Sequence, residues 1–224
     1  MSMNSYIQHE QKLWDAYHEL LLGPDVGRIR KLLVRYDLYS MSKDVPGDIF
    51  ECGVFKGSGL MFWLKILSIY EPDSGKKVIG FDTFKFFTGK LTDKEKSSTD
   101  IYLKEAGTTE ISSAQIYSYA ENAGLRERTQ LIAGDIAETA PDYVKSNPGL
   151  KISFLHLDLD TYSGTKAALE AFYPYVGKGG VIVFDEYGDH LWDETQAVDE
   201  YFAGKEVNIR RIPYSTKPSA YIIK

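Results

Sequence analysis

The chain has 224 residues, 43% hydrophobic and 26% charged, with a formal net charge of −6. It is long enough for one domain with a sizeable core, its composition excludes a largely disordered chain, and its acidity argues against a protein that coats nucleic-acid phosphates. A single cysteine, Cys52, excludes an intrachain disulfide, and with no signal core and no apolar run of membrane-spanning length the expectation is a cytoplasmic protein without a membrane partner.

Residues 6–22 predict an amphipathic helix, with Leu13, Trp14, Tyr17, Leu20 and Leu21 near helical spacing. A second helix, GRIRKLLVRYDLY, carries Arg28, Arg30, Lys31 and Arg35, which fits either a solvated basic face or contact with an acidic substrate. Residues 1–44 are expected to form an N-terminal helical cap offering a surface for a homo-oligomer. The turn Val45-Pro46-Gly47 opens the main domain, 45–224.

From there strands and helices alternate. DIFEC (48–52), KVIGF (77–81), TQLIAG (129–134), KISFLHLD (151–158) and GGVIVFD (179–185) read as strands. GLMFWLKILSIY (59–70), SSAQIYSYAENAG (112–124) and TKAALEAFYPYV read as helices between them. Residues 83–111 are polar, rich in lysine and threonine, and read as a lid-like insertion. The alternation predicts a mostly parallel sheet with helices on both faces. NIRRI (208–212) and AYIIK (220–224) are separated by only Pro213 to Ser219, too short for a parallel crossover, so they must form an antiparallel hairpin. An α/β, Rossmann-like sheet of seven strands ending in such a hairpin resembles the fold of the class I S-adenosylmethionine-dependent methyltransferases.

The chemistry gathers at strand ends. After the first strand comes ECGVFKGSG, whose glycine spacing differs from the G-x-G-x-x-G that holds a pyrophosphate. Glu51 there would repel a pyrophosphate but suits a ligand with an amino group, and the glycines let the backbone approach it. Glu51 and the glycines Gly53 and Gly59 are therefore candidate S-adenosylmethionine contacts, and the methyltransferase resemblance adds Ser58. Asp82 ends the second strand, 23 residues beyond Gly59, where such folds use an acid to accept ribose hydroxyls. Asp135, in AGD, fits either the adenine edge or a helix N-cap.

FLHLDLDTY brings a buried strand to Asp158, and the fifth strand ends in Asp185-Glu186. Carboxyl ends of parallel neighbours share one crevice. Three carboxylates there repel one another unless a cation joins them, and they make an oxygen set for magnesium or another hard divalent ion. Asp158 is the first candidate for proton acceptor and His156 the competitor, although a satisfied core histidine fits His156 as well. Asp160 is read mainly as a helix cap. His190 and Trp192 would border the substrate or lie on an exposed loop. Tyr70, Phe84, Phe86, Phe87, Tyr187 and Trp192 could floor a sugar or aromatic ring, and Lys85, Lys90, Lys94 and Lys96 could attract an anionic carrier.

DVPGDIFECGVFKGSG, GFDTF and FLHLDLDTYSGTKAALEAFYPYVGKGGVIVFDEY together resemble the macrocin O-methyltransferase family, over roughly residues 44–203. The same positions are more distantly similar to catechol O-methyltransferase. The resemblance implies transfer of a methyl group from S-adenosylmethionine to a hydroxyl of a small molecule, such as a sugar or secondary-metabolite intermediate. It makes Asp158, Asp185 and Glu186 the metal ligands, the first two 27 residues apart as the family pattern requires. Departures are Glu186 where the family has mostly aspartate, Thr161 where the catechol enzymes have a lysine base, and KFFTG in place of the family's G-L-P. A metal-dependent hydroxylase or hydrolase on the same scaffold and a non-catalytic nucleotide-binding domain are the alternative readings. An NAD-dependent oxidoreductase would need the dinucleotide spacing.

Overall fold

A computed structural model describes residues 3–85, 90–106 and 111–224. Seven strands form one sheet: β1 (Asp48–Cys52), β2 (Val78–Asp82), β3 (Thr129–Ala133), β4 (Ile152–Leu157), β5 (Val176–Phe184), β6 (Arg210–Arg211) and β7 (Ala220–Ile223). Their order across the sheet is β3-β2-β1-β4-β5-β7-β6. The first five are parallel, whereas β7 runs antiparallel to both β5 and β6. The expected seven-strand sheet with its terminal hairpin is thus present, and each expected strand overlaps an observed one.

The helices are α1 (Met3–Leu22), α2 (Gly27–Ser42), α3 (Ser58–Tyr70), α4 (Asp93–Ala106), α5 (Ser113–Asn122), α6 (Ile136–Ser146), α7 (Tyr162–Phe172) and α8 (Glu194–Phe202). Strand alternation sorts the core into two layers. Phe50, Phe81, Leu155, Leu157, Ile182 and Phe184 pack on one face against Ile136 and Ala140 of α6, Leu169 and Phe172 of α7, and Phe202 of α8. Ile49, Val78, Phe154, Val181 and Val183 pack on the other against Val34 and Leu38 of α2, Leu60, Trp63 and Leu67 of α3, and Ile116 of α5. Each layer has an aromatic centre, with Phe50 and Phe172 rings 5.1 Å apart in one and Trp63 and Phe154 4.9 Å apart in the other.

Two helices, α4 and α8, lie outside the sequence reading: α4 is polar with little apolar periodicity, whereas the spacing of Ala197, Val198 and Phe202 in α8, all buried, is a helical signal that could have found it. A capping box starts α5, Ser112 Oγ accepting from Gln115 N while the Gln115 side chain accepts from Ser112 N. Along α1, Ile7, Leu13, Trp14, Tyr17 and Leu21 are exposed.

Candidate active site

A cavity of about 370 Å³ opens at the carboxyl ends of β1, β2, β4 and β5. It lies at the switch point between β1 and β4, where parallel sheets of this kind bind ligands. Glu51, Gly53, Ser58, Gly59, Asp82, Asp135, Asp158, Asp185 and Glu186 all line it. His156 lies behind that wall, fully buried, and does not line the cavity.

On β1, Glu51 alternates to the face of Ile49, toward α2 and α3. Trp63 Nε1 donates to its Oε1 at 3.1 Å, and its buried Oε2 has no hydrogen-bond partner among the described residues. Two glycines make room for this arrangement. A Cβ on Gly53 (φ +94°) would stand 1.7 Å from the Asp158 carbonyl oxygen, so only glycine lets β1 and β4 meet this closely at their ends. A Cβ on Gly59 would stand 2.1 Å from Glu51 Oε1. Ser58 begins α3, whose N-cap, Gly57, supplies no side-chain cap.

Asp82 organises the loop. Its Oδ2 accepts from the backbone of Val54 (2.7 Å) and Phe55 (2.8 Å), and its Oδ1 accepts from Phe84 N (2.7 Å). Burial raises its pKa above the ordinary carboxylate value, and those three N–H donors oppose the rise. Asp135 serves as N-cap of α6, accepting from Ala137 N at 2.9 Å, and also lines the cavity.

Register explains the charges behind the wall. Glu51 on β1 is the neighbour of His156 on β4, and Asp185 follows β5 two residues after Val183, the other neighbour of His156. The imidazole therefore lies between two carboxylates, Nδ1 3.5 Å from Glu51 Oε1 and Nε2 3.4 Å from Asp185 Oδ1. Burial favours the neutral ring, but Asp185 and Glu51 outweigh it and raise the pKa of His156 to about 9. Burial pushes Asp185 up as well, yet His156, Lys31 and Arg35 hold it below the ordinary range. Asp158 is raised to about 6, first by burial and then by Asp185.

His156, Asp158 and Asp185 each offer a donor atom within 4.8 Å of the others. Glu186 contacts Lys217, Oε1 to Nζ 2.6 Å, from the hairpin between β6 and β7. Its Oε2 and Asp185 Oδ1 are buried without a hydrogen-bond partner among the described residues. Burial raises Glu186 to about 7 against the pull of Lys217. Its backbone N donates to Glu194 Oε1 at 2.9 Å, placing one more buried acid behind the cluster.

Several expectations need correction. Thr161, not Asp160, caps α7, its Oγ1 accepting from Gly164 N, while Asp160 (φ +62°) lines the cavity. Trp192 is buried near Tyr102, ring centroids 6.3 Å apart, and His190 is exposed; neither lines the cavity. Tyr70 packs on Tyr36 and Tyr187 donates to Asp199, so of the described candidate aromatics only Phe84 lines it. Phe86 and Phe87 lie outside the described residues. Lys94 is tied to Asp193 (2.8 Å) and Lys96 to Asp93 (2.8 Å), leaving Lys85 as the one lining lysine of the four proposed.

The insertion contributes α4, which is held by polar contacts and brings one side chain to the cavity wall. Glu95 is fully buried and accepts from Thr92 N and Tyr162 N (2.7 and 2.6 Å), joining the starts of α4 and α7. Ser98 donates to the Leu191 carbonyl, and Tyr102 lines the cavity. Sequence reasoning also missed Phe55, Lys56 and Lys217 as lining residues. It left Arg28, Lys31 and Arg35 undecided, and all three line the cavity.

The parallel sheet with its reversed β7, the glycine loop at the switch point and the acid ending β2 define a class I methyltransferase fold. The chain belongs to the macrocin O-methyltransferase (TylF) family, whose sequence pattern matches residues 27–212. It is 26% identical over 149 residues to the 8-demethyl-8-(2,3-dimethoxy-α-L-rhamnosyl)-tetracenomycin-C 4'-O-methyltransferase of Streptomyces olivaceus, covering 66% of this chain and 55% of that protein. It is 27% identical over 147 residues to the mycinamicin III 3''-O-methyltransferase of Micromonospora griseorubida, covering 64% and 56%. The matched region is thus little more than half the length of these relatives. Among solved structures, the calicheamicin methyltransferase CalS11 superposes with a TM-score of 0.74 at 29% identity, over 92% of this chain and 83% of that one. Its apo form, described as a TDP-rhamnose 3'-O-methyltransferase, gives 0.70 at 31%, over 92% and 84%. The O-methyltransferase NovP, 22% identical with a TM-score of 0.73 over 88% and 80%, shares the fold.

Proposed function

We propose that the protein is an S-adenosylmethionine-dependent O-methyltransferase that acts on a sugar hydroxyl of a natural product or its precursor, with a divalent cation at Asp158, Asp185 and Glu186. One observation carries this reading: a single cavity joins the Glu51–glycine loop and Asp82 to these three carboxylates. The rhamnose and natural-product names of the relatives support the substrate class.

The residues fit both groups. Glu51 Oε2, buried and unpartnered among the described residues, suits an ammonium. Glu186 Oε2, equally without a partner, suits a hard cation, as does Asp185, whose Oδ1 has only the 3.4 Å contact with His156. S-adenosylmethionine supplies an electrophilic methyl on a sulfonium, and the cation supplies Lewis-acid activation and orientation of a hydroxyl.

The chain's own residues do the rest. Gly59 makes room for the Glu51 carboxylate at the start of α3, and Gly53 lets β1 and β4 meet beside it. Asp82 holds the loop in shape through its three backbone contacts and has one acceptor site left, on Oδ1, for a ribose hydroxyl. Asp158 takes the hydroxyl proton, since it borders the cavity, while His156 stays behind the wall between Glu51 and Asp185. The insertion 83–111 acts as a lid that excludes water, with Tyr102 of α4 on the cavity wall. Exposed Trp14 and Tyr17 support assembly of copies through the N-terminal helical cap, 1–44. Among the described residues no helix is long and apolar enough to cross a membrane, and the reading includes a cytoplasmic setting.

The test combines protein, S-adenosylmethionine and a panel of nucleotide-linked and natural-product-linked deoxysugars, with magnesium or with excess chelator. The expected result is a product heavier by one methylene, lost on chelation, restored by magnesium and absent in Asp158→Asn. A product unaffected by chelation would remove the metal, and no methylated product across the panel would remove the sugar reading.

A further inference from the structure

His156 is 1% exposed, yet neither ring nitrogen makes a hydrogen bond among the described residues. Its Nε2 instead faces Asp185 Oδ1 at 3.4 Å. An imidazolium paired directly with a carboxylate closes to about 2.7–2.9 Å, so this gap is wider than a direct pair requires. It matches two donors beside a shared ion. Atoms about 2.1 Å from one cation stand about 3–4 Å from each other, and donor atoms of His156, Asp158 and Asp185 all lie within 4.8 Å of one another.

The surroundings agree with a ligand role. The other ring nitrogen, Nδ1, is directed at Glu51 Oε1, 3.5 Å away, which is where a carboxylate stands behind metal-bound histidines to fix the ring. Glu186 commits its Oε1 to Lys217 Nζ at 2.6 Å, so a nitrogen donor supplements what the carboxylates offer. Asp158 and Asp185 line the cavity with His156 behind them, and an ion among the three is therefore reached from the cavity. Three protein donors leave positions for water and a hydroxyl.

We infer that His156 binds, through Nε2, the divalent cation placed above at the carboxylate cluster, and that the site therefore takes a first-row transition ion such as manganese in preference to magnesium. Imidazole nitrogen suits such ions, whereas magnesium favours oxygen. The inference rests on the metal reading of the proposed function and adds a nitrogen to its ligand set. The ion replaces the proton that Asp185 and Glu51 favour on the ring, since only the neutral imidazole ligates.

Pulsed electron paramagnetic resonance of the manganese-loaded protein tests this without turnover. A directly bound imidazole imprints nitrogen modulation on the manganese echo, which an all-oxygen site lacks. The chain has four histidines, and His9, His18 and His190 are exposed. Combining His9→Ala, His18→Ala and His190→Ala leaves His156 as the one histidine, so modulation in that variant identifies it without any change in the core. His156→Gln should abolish the modulation and weaken manganese binding at least about 10-fold, since loss of even an outer partner costs that much. Magnesium should also displace manganese more readily from His156→Gln than from wild type. Manganese bound to the triple variant without modulation, modulation that survives His156→Gln, or an unchanged preference in that variant would each overturn the inference. No manganese binding by wild type would instead overturn the metal reading, and this inference with it.

Discussion

Replacing Gly53 by alanine probes the junction on which the cavity depends. The residue has φ +94°, and its new Cβ would fall 1.7 Å from the backbone oxygen of Asp158. A left-handed conformation costs a non-glycine residue about 1–2 kcal/mol, and forcing an extra methyl into a packed site costs about 1–3 kcal/mol more. A backbone oxygen cannot rotate away, so β1 and β4 must part where Asp158 N donates to Cys52 O (2.8 Å). The expected loss is about 2–5 kcal/mol, which at a urea slope of about 2–3 kcal/mol per molar lowers the midpoint by about 1–2 M. Gly75→Ala is the control, since a Cβ there meets nothing within 4 Å. A midpoint for Gly53→Ala within about 0.2 M of that control, or about 0.5 kcal/mol at the same slope, would refute the reasoning.

Asp82→Asn turns one acceptor oxygen into a donor facing a backbone N–H, and should cost about 1–3 kcal/mol in urea unfolding; a change of a few tenths would show that the loop holds itself. Glu95→Gln leaves one acceptor where two helix starts need one each, with an expected cost of about 1–2 kcal/mol. Hydrogen exchange should then quicken in α4 while β1 and β4 stay protected, and unchanged exchange in α4 would separate the lid from this carboxylate. Chelation of the wild type should loosen the cluster of like charges at the ends of β4 and β5, lowering the thermal midpoint by a few degrees relative to magnesium buffer. Equal midpoints at saturating magnesium would mean that no cation is held there.

The sheet was legible because its strands are short apolar runs between turn residues, and the terminal hairpin because seven residues cannot make a crossover. The strand-end residues Glu51, Asp82, Asp158 and Asp185 reached one cavity for the same reason: parallel strands present their carboxyl ends together. Helix α4 was not legible, since its polar sequence is anchored through Glu95 and Ser98 to partners far along the chain. The stripe on α2 was half legible. Spacing separates Arg28, Lys31 and Arg35 from Arg30, but only packing reveals which side faces the cavity. His156 shows the same limit, because strand register, invisible in the sequence, sets it between Glu51 and Asp185.

The place of β7 in the sheet has a consequence for how the protein is made. β7 is the last strand in sequence, yet it lies between β5 and β6, so every earlier strand is synthesised while β5 still has an open edge. Domains fold as units and the N-terminal part emerges first. The nascent chain therefore carries Asp185 and Glu186 on an unprotected margin, without Lys217 to offset them. The contacts assigned to the cofactor all precede β5, whereas Lys217 reaches Glu186 only from the hairpin, so the cavity's acidic end is the part that closing this edge completes.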